Sequence, residues 1–267
     1  MKKLDFNLSA STLAKFEGCP WAFKQDKILK REPLSKPGAA LVKAQAFHAL
    51  MEWFYISKKF NTYPLFNEWE RFFEEQRKKY KCNDPYLKYA KMSGYTMIKN
   101  WVAMAKKYGW LKEAVQIGDQ YGVEMEFMLP YENDRYEINV HGFIDLVIEV
   151  NGEVYILDWK TGKVYDYYRL QGILYSWAIY KKFGIVEDSF IFVHPAKKVN
   201  DIFSLKVEDK DYNEIVVLVN ELFDCIEEDN FEKRPADGCR YCDYVDCEHN
   251  TNKILKDHIQ NNNLKIK

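Results

Sequence analysis

Apolar positions along this chain recur with two different periods, and the changes from one to the other mark out its elements. Leu41, Ala44, Phe47, Met51, Phe54 and Tyr55 fall three and four apart, one helical stripe that predicts a helix over 38–59, with His48 inside it. Similar spacing predicts helices over about 65–80, 85–108 with a short piece near 111, 166–183 and 211–228. Ser9 or Ser11 can cap an earlier helix running to Glu17 and stopped by Gly18, and Pro20 suits the first position of another turn. Gly184 fits just past the end of the 166–183 helix. From Tyr121 the pattern becomes β: 122–129, a turn at 132–134, then 135–150, 153–160, 189–194 and 202–207. Strands followed by a helix and a further strand give an α/β core with a mixed central sheet. We read 1–267 as one domain: an N-terminal segment and His-bearing helix at 1–60, a helical region at 61–118, the core at 119–235, a cysteine motif at 236–250 and a fraying tail at 251–267.

The sharpest local signal is Asn151-Gly152 between two runs rich in Val, Ile, Leu and Tyr, since both residues tolerate the positive φ of a two-residue hairpin turn. Counting outward, Val150 pairs with Glu153, Glu149 with Val154, Val147 with Ile156 and Asp145 with Asp158. Directly opposed residues have Cβ atoms about 4.5–5.5 Å apart, where two carboxylates repel each other. A hard divalent cation relieves that repulsion. The strand period of two sends Lys160 to the face of Asp158 and Trp159 to the other. Gln171 and Tyr175 share a helix face, from which they could reach a strand lying over the metal.

Composition narrows the partners. Lys plus Arg (39) and Asp plus Glu (40) nearly cancel, so a nucleic-acid surface has to be a local basic patch. No run of about 18 apolar residues occurs and the N-terminus lacks a signal-peptide core, which predicts a soluble, cytoplasmic protein. Of the six cysteines, Cys82 and Cys225 stand alone and read as structural. Cys239, Cys242 and Cys247 lie together and need a fourth ligand: His249 is at hand for zinc, and Cys19 could complete the four thiolates of an iron-sulfur cubane. A lone His on an apolar stripe, as His48 is, is by itself an ordinary core residue.

Gly142-Phe143-Ile144-Asp145, then Asp158-Trp159-Lys160-Thr161-Gly162, then Gln171-Gly172-Ile173-Leu174-Tyr175 resemble, in order and spacing, the GxxD, DxKTG and QxxxY motifs of the RecB-type nucleases of the PD-(D/E)XK superfamily. The likeness extends to the Cys-Pro opening, to the His-bearing helix, and to the one-early, three-late cysteines of AddB-type nucleases and CRISPR-associated RecB-like exonucleases. Ile144 in place of the proline of the superfamily name, and Asp158 where many members carry Glu, are departures. The resemblance implies a restriction-endonuclease-like α/β fold, with Mg²⁺ or Mn²⁺ held by His48, Asp145, Asp158 and the Trp159 carbonyl. It implies that Lys160 orients the attacking water, that Gln171 and Tyr175 position the strand, and that Glu124 or Glu126 stands near the metal. It also implies one [4Fe-4S] cluster on Cys19, Cys239, Cys242 and Cys247, with zinc the alternative, and a helical region at 61–118 that covers the site and whose aromatic and basic residues could line a strand channel.

The expected function is a metal-dependent DNA exonuclease acting on single-stranded ends in recombination and repair, phage replication or CRISPR adaptation. The alternative is a non-catalytic DNA-binding subunit that assembles with a CRISPR integrase or a helicase; intact Asp145, Asp158 and Lys160 count against it. No phosphate-binding loop of an ATP motor is present. Cleavage polarity and assembly into a homo-oligomer stay open.

Overall fold

The structure, a computed structural model, describes residues 1–162, 168–187, 189–197, 202–252 and 256. The expected helix start near 166 and most of the tail lie outside the described residues. The chain divides into two compact units, Pro37–Leu129 with His141–Tyr212, and Met1–Lys36 with Pro130–Val140 and Asn213–Lys267.

The first of these is built on helix α3, Ala39–Ser57, which starts after Pro37-Gly38. Gly38 has no side chain to cap it, and Asp84 Oδ2 accepts from the Ala39 N–H at 2.9 Å instead. Lys58, left-handed at φ 54°, ends the helix. Its buried stripe is Val42, Ala46, Phe47, Leu50, Met51, Phe54 and Tyr55. Leu41, expected in the stripe, is 38% exposed, because the buried face is centred one residue further round the helix. Helices α4 (Tyr63–Lys79) and α5 (Leu87–Tyr108) join the same core and bury Trp69, Phe73 and Trp101 completely or almost so. These large aromatics, offered by the sequence to a strand channel, are core.

Gly94 explains how α4 and α5 come so close: a Cβ there would lie 1.9 Å from the Trp69 indole, whose Nε1–H donates to the Lys91 carbonyl at 2.9 Å. Gly94→Ala is therefore expected to destabilise the protein by about 1–3 kcal/mol through overpacking, despite alanine's better helix propensity. A denaturant midpoint that stays or rises would show that the indole can move aside.

No helix forms near 111. The chain instead makes a small hairpin, β2 (Gln116–Ile117) with β3 (Gln120–Tyr121), which turns at Gly118 with φ 62°. The strands β4 (Val123–Glu132), β5 (Tyr136–Val150) and β6 (Glu153–Trp159) follow. Asn151 and Gly152 take φ values of 56° and 88°, the positive pair a type I′ turn requires. The register is the expected one: Val150 opposite Glu153, Glu149 opposite Val154, Val147 opposite Ile156, ending at Leu146 opposite Leu157. Helix α6 (Tyr168–Phe183) closes with Gly184 at φ 67° and returns the chain to β7 (Ser189–Val193), parallel to β6. Strand β8 (Ile202–Leu205) is antiparallel to β7, so the sheet is mixed. Leu146, Ile148, Leu157 and Trp159 face the core shared with the helices.

The second unit opens with a strand the pattern reading overlooked, β1 (Lys2–Leu8), parallel to residues Tyr136–Val140 of β5. Leu4, Phe6 and Leu8 alternate with polar residues and were its signal. Ser9 then caps α1 (Ala10–Gly18), accepting from the Thr12 N–H at 3.2 Å. Pro20 opens α2 (Pro20–Phe23), which widens into a π turn over Lys24–Ile28. Helix α7 (Tyr212–Glu228) buries Ile215, Leu218, Val219, Leu222 and Phe223, the last against the ring of Tyr136 at 5.1 Å. Among the described residues no helix is long and apolar enough to cross a membrane.

Candidate active site

One peptide step past the last paired residues of the hairpin, β5 and β6 carry Asp145 and Asp158, buried to 7% and 3% exposure. Period two turns Trp159 into the aromatic core, stacked on Tyr55 with ring centroids 6.5 Å apart and edge-on to Trp101. Its peptide stays in the site. The Trp159 N–H donates to Asp145 Oδ2 at 2.6 Å, and its carbonyl lies 3.1 Å from His48 Nε2. A carbonyl can only accept, so Nε2 carries the proton and the Nδ1 edge of the ring is turned toward the carboxylates.

His48 Nδ1 lies 3.3 Å from Asp145 Oδ1 and 3.7 Å from Glu124 Oε1. Burial by itself lowers the imidazole pKa, but Asp145 and Glu124 outweigh it and raise it well above the ordinary value. Burial likewise raises Glu124, opposed by His48 and reinforced by Asp145. His48, Glu124 and Asp145 each offer one ligand atom, all within 4.8 Å of one another. An imidazole nitrogen with two carboxylate oxygens suits a divalent cation, so these residues fit the metal that the sequence suggests.

Of the two glutamates left open by the sequence, Glu124 joins this group, while Glu126 is exposed and pairs with His141 at 2.8 Å. Glu124 holds a left-handed φ of 45° inside β4, a conformation uncommon for a residue with a side chain. Two residues earlier Gly122 passes so close to Val115 and Val147 that a Cβ would meet their carbonyl oxygens at 2.9 and 3.0 Å. Gly122 was the available sign that β4 departs from regular pleating here.

Asp158, expected beside the cation, is not one of the three residues whose ligand atoms converge. Its Oδ1 accepts from Gln171 Nε2 at 2.6 Å and its Oδ2 forms an ion pair with Lys160. Lys160 donates in turn to Gln171 Oε1 at 2.6 Å, with its ammonium 4.8 Å from the centre of the Tyr168 ring. Burial, partly countered by Lys160 and reinforced by Asp145, pushes the Asp158 carboxyl up to about 6. Gln171 and Tyr175 do share a face of α6, but both are only 8% exposed. Gln171 commits its amide to Asp158 and Lys160, and Tyr175 packs edge-on to Phe127 at 5.4 Å. Gly142 makes room for that packing, since a Cβ there would sit 2.6 Å from Phe127 and 3.1 Å from Tyr175.

In the N- and C-terminal unit, Cys19, Cys239, Cys242 and Cys247 are free thiols lining one cavity of about 390 Å³, with His249 on its wall. Burial raises the Cys242 thiol, and the other three cysteines are near enough to raise it further. Cys239 Sγ also accepts from the Ala236 N–H at 3.5 Å. Cys225 is not among the cavity's lining residues, and Cys82 is buried in the helical core.

Among solved structures the chain is similar to SSO0001, at 14% identity over 94% of this chain and 89% of that one with a TM-score of 0.47. It is also similar to a Eubacterium rectale protein provisionally named an exonuclease, at 15% identity over 88% and 87% with a TM-score of 0.48. No curated protein matches. The family profile described as the PD-(D/E)XK nuclease superfamily matches residues 7–247. That span runs from just before the cap of α1 to the last cysteine and takes in every residue of the buried site, and the chain belongs to the PD-(D/E)XK nuclease superfamily.

Proposed function

We propose that this nuclease is a divalent-metal-dependent exonuclease of RecB type that degrades DNA from single-stranded ends, with an iron-sulfur cluster as a structural clip. The convergence of His48 Nδ1, Glu124 Oε1 and Asp145 Oδ1 on one point carries the reading. Bound Mg²⁺ or Mn²⁺ supplies an acidified water and neutralises charge building on the phosphate. His48 presents Nδ1 to the cation because its Nε2–H is donated to the Trp159 carbonyl. Lys160, oriented by Gln171 and Asp158, places its positive charge beside the attacking water and the phosphoryl oxygens. Gln171 acts as a positioning residue, holding Asp158 and Lys160 at once.

Support for a shared metal group comes from the cavity that Cys19, Cys239, Cys242 and Cys247 line together: four thiolates are the ligand set of a cubane, with zinc the alternative. The reading places the protein in DNA-end processing during recombination and repair, phage replication or CRISPR adaptation, where an integrase or helicase is the partner class.

End-labelled linear single strands, linear duplexes and closed circles, each with Mg²⁺ or Mn²⁺, test it. Linear single strands are expected to be degraded and circles spared; cut circles would overturn the exonuclease assignment, and intact substrates throughout would overturn catalysis. The site also predicts a pH dependence. His48 is protonated in the metal-free site, and Asp158 titrates at about 6. A cation needs the Nδ1 lone pair, so metal binding should release the His48 proton, and affinity should rise as pH increases through the raised imidazole value. Asp158 itself stabilises the metal-free fold only at low pH, a contribution full below about pH 4 and lost as pH rises through about 6, because its folded value lies above its unfolded one. Calorimetry in buffers of differing ionisation enthalpy reads the released protons, and binding without release would contradict the assigned ligand atoms.

A further inference from the structure

Helix α5 carries Lys88, Lys91, Lys99, Lys106 and Lys107 and has no Asp or Glu in its 22 residues, although basic and acidic residues nearly balance over the whole chain. It is a local basic patch of the kind a nearly neutral chain needs to hold a polyanion. One side of the helix packs in the core through Met97, Ile98, Trp101 and Met104, and Gly94 and Lys91 face Trp69 and Glu70 of α4. A further side is exposed. Tyr86, just ahead of the helix, and Tyr89, Ser93 and Thr96 recur three and four apart in one line that ends at Asn100. Lys88, Met92 and Lys99 are exposed alongside it. Tyr86 and Tyr89 are 67% and 73% exposed, and their ring centroids stand 6.5 Å apart.

Hydrogen bonds at both ends fix where this line leads. Asn100 Nδ2 donates to the carbonyls of Pro195 at 3.0 Å and Lys197 at 2.6 Å. Two residues before Pro195, the Val193 carbonyl accepts from the Lys160 N–H at 2.8 Å, so the Asn100 end adjoins the ends of β6 and β7, where Asp158 and Lys160 lie. At the other end Asp84, two residues ahead of Tyr86, accepts from the first N–H of α3. His48 lies nine residues further along α3, about 14 Å at the helical rise. Helix α5 therefore runs beside the site. From Asn100 back to Tyr86 is about 21 Å, the length of roughly six nucleotides in a stacked strand.

The side chains on this line decide what lies on it. Lysine ammonium groups attract phosphates, and exposed aromatic rings stack on bases of any sequence. In a duplex the bases are paired and stacked on one another, so tyrosines on a convex helix face meet only its backbone; a single strand offers bases and phosphates together. A docking protein wants a continuous apolar patch, and here Ser93, Thr96 and the lysines interrupt it.

We propose that Tyr86 and Tyr89, flanked by Lys88 and Lys99, form a track on α5 that grips the single strand outside the site, several nucleotides from the phosphate being cleaved. The proposal deepens the exonuclease reading and rests on it for the identity of the strand.

The test follows cleavage of end-labelled oligothymidylates from about 4 to about 20 nucleotides long by wild type, Tyr86→Ala/Tyr89→Ala and Tyr86→Trp/Tyr89→Trp. Wild type is expected to show a lower KM on long strands than on short ones. The alanine pair should lose that advantage: KM on long strands rises about tenfold or more, while KM on the shortest strand, kcat and the melting temperature stay as they were. The tryptophan pair should keep the wild-type KM. Lys88→Gln/Lys99→Gln should flatten the slope of log affinity against log salt by about 1.4, two phosphate contacts at about 0.7 each. An alanine pair with the wild-type dependence on length, or a glutamine pair with an unchanged slope, would overturn the proposal. Should the wild type cleave nothing, the nuclease reading fails on its own. Anisotropy of the longest oligothymidylate without divalent ion then decides the track separately: weaker binding by the alanine pair supports it, and equal binding overturns it.

Discussion

Asp145→Asn is expected to lower DNA hydrolysis at least about a thousandfold while leaving the fold as stable as before. The rate follows from the metal: charge neutralisation by a bound cation is worth several kcal/mol, and each 1.4 kcal/mol is tenfold. Stability follows from the hydrogen bonds. The Asn carbonyl can still accept from the buried Trp159 N–H, and with the carboxylate gone His48 loses its Nδ1 proton and can accept from the Asn amide. Asp145→Ala should be equally inactive but less stable, because it orphans the Trp159 N–H at a cost of about 1–3 kcal/mol, offset in part by relief of repulsion with Asp158. Comparing metal affinity, rate and melting temperature for the pair separates the two roles of one carboxylate. An asparagine variant that keeps binding and hydrolysis would remove Asp145 from the metal site.

Cys19→Ser is expected to empty the cysteine site and lower the melting temperature by roughly 10–20 °C. Cys19 is separated from Cys239 by 220 residues, and by analogy with a disulfide a clip over such a loop removes about 5 kcal/mol of unfolded-chain entropy. The wild type, purified anaerobically, should be brown with about four irons per chain. Colourless protein with one zinc would replace the cluster by a smaller ion and keep the clip. Unchanged metal content in Cys19→Ser would make the fourth ligand local, with His249 on the same cavity wall.

The hairpin could be read residue by residue because turn chemistry is local: Asn151 and Gly152 accept positive φ, and once the turn is set the count to Asp145 and Asp158 follows. His48 could be placed on a helix, but its helix presents a face one residue away from the one the spacing favoured, since Leu41 and Val42 are equally apolar and only tertiary packing chooses between them. Glu124 escaped a firm reading because period two treats it and Glu126 alike; the left-handed backbone at Glu124 is what distinguishes them. Gln171 looked like a hand for the substrate because its burial depends on how α6 lies on the sheet, which no spacing reports. Strand β1 was hidden among Lys, Asp and Asn, and its parallel partner lies more than a hundred residues away.

Trp159 divides its labour between side chain and backbone. The indole belongs to the aromatic core, whereas the N–H and carbonyl bind Asp145 and His48 and so hold β5 and α3 at a set distance. Sequence drift at this position is therefore constrained by volume rather than by chemistry: any large apolar residue that fills the space beside Tyr55 and Trp101 keeps the peptide where the site needs it. A motif written as aspartate, anything, lysine hides a middle residue whose identity is set by the interior and whose peptide holds Asp145 and His48.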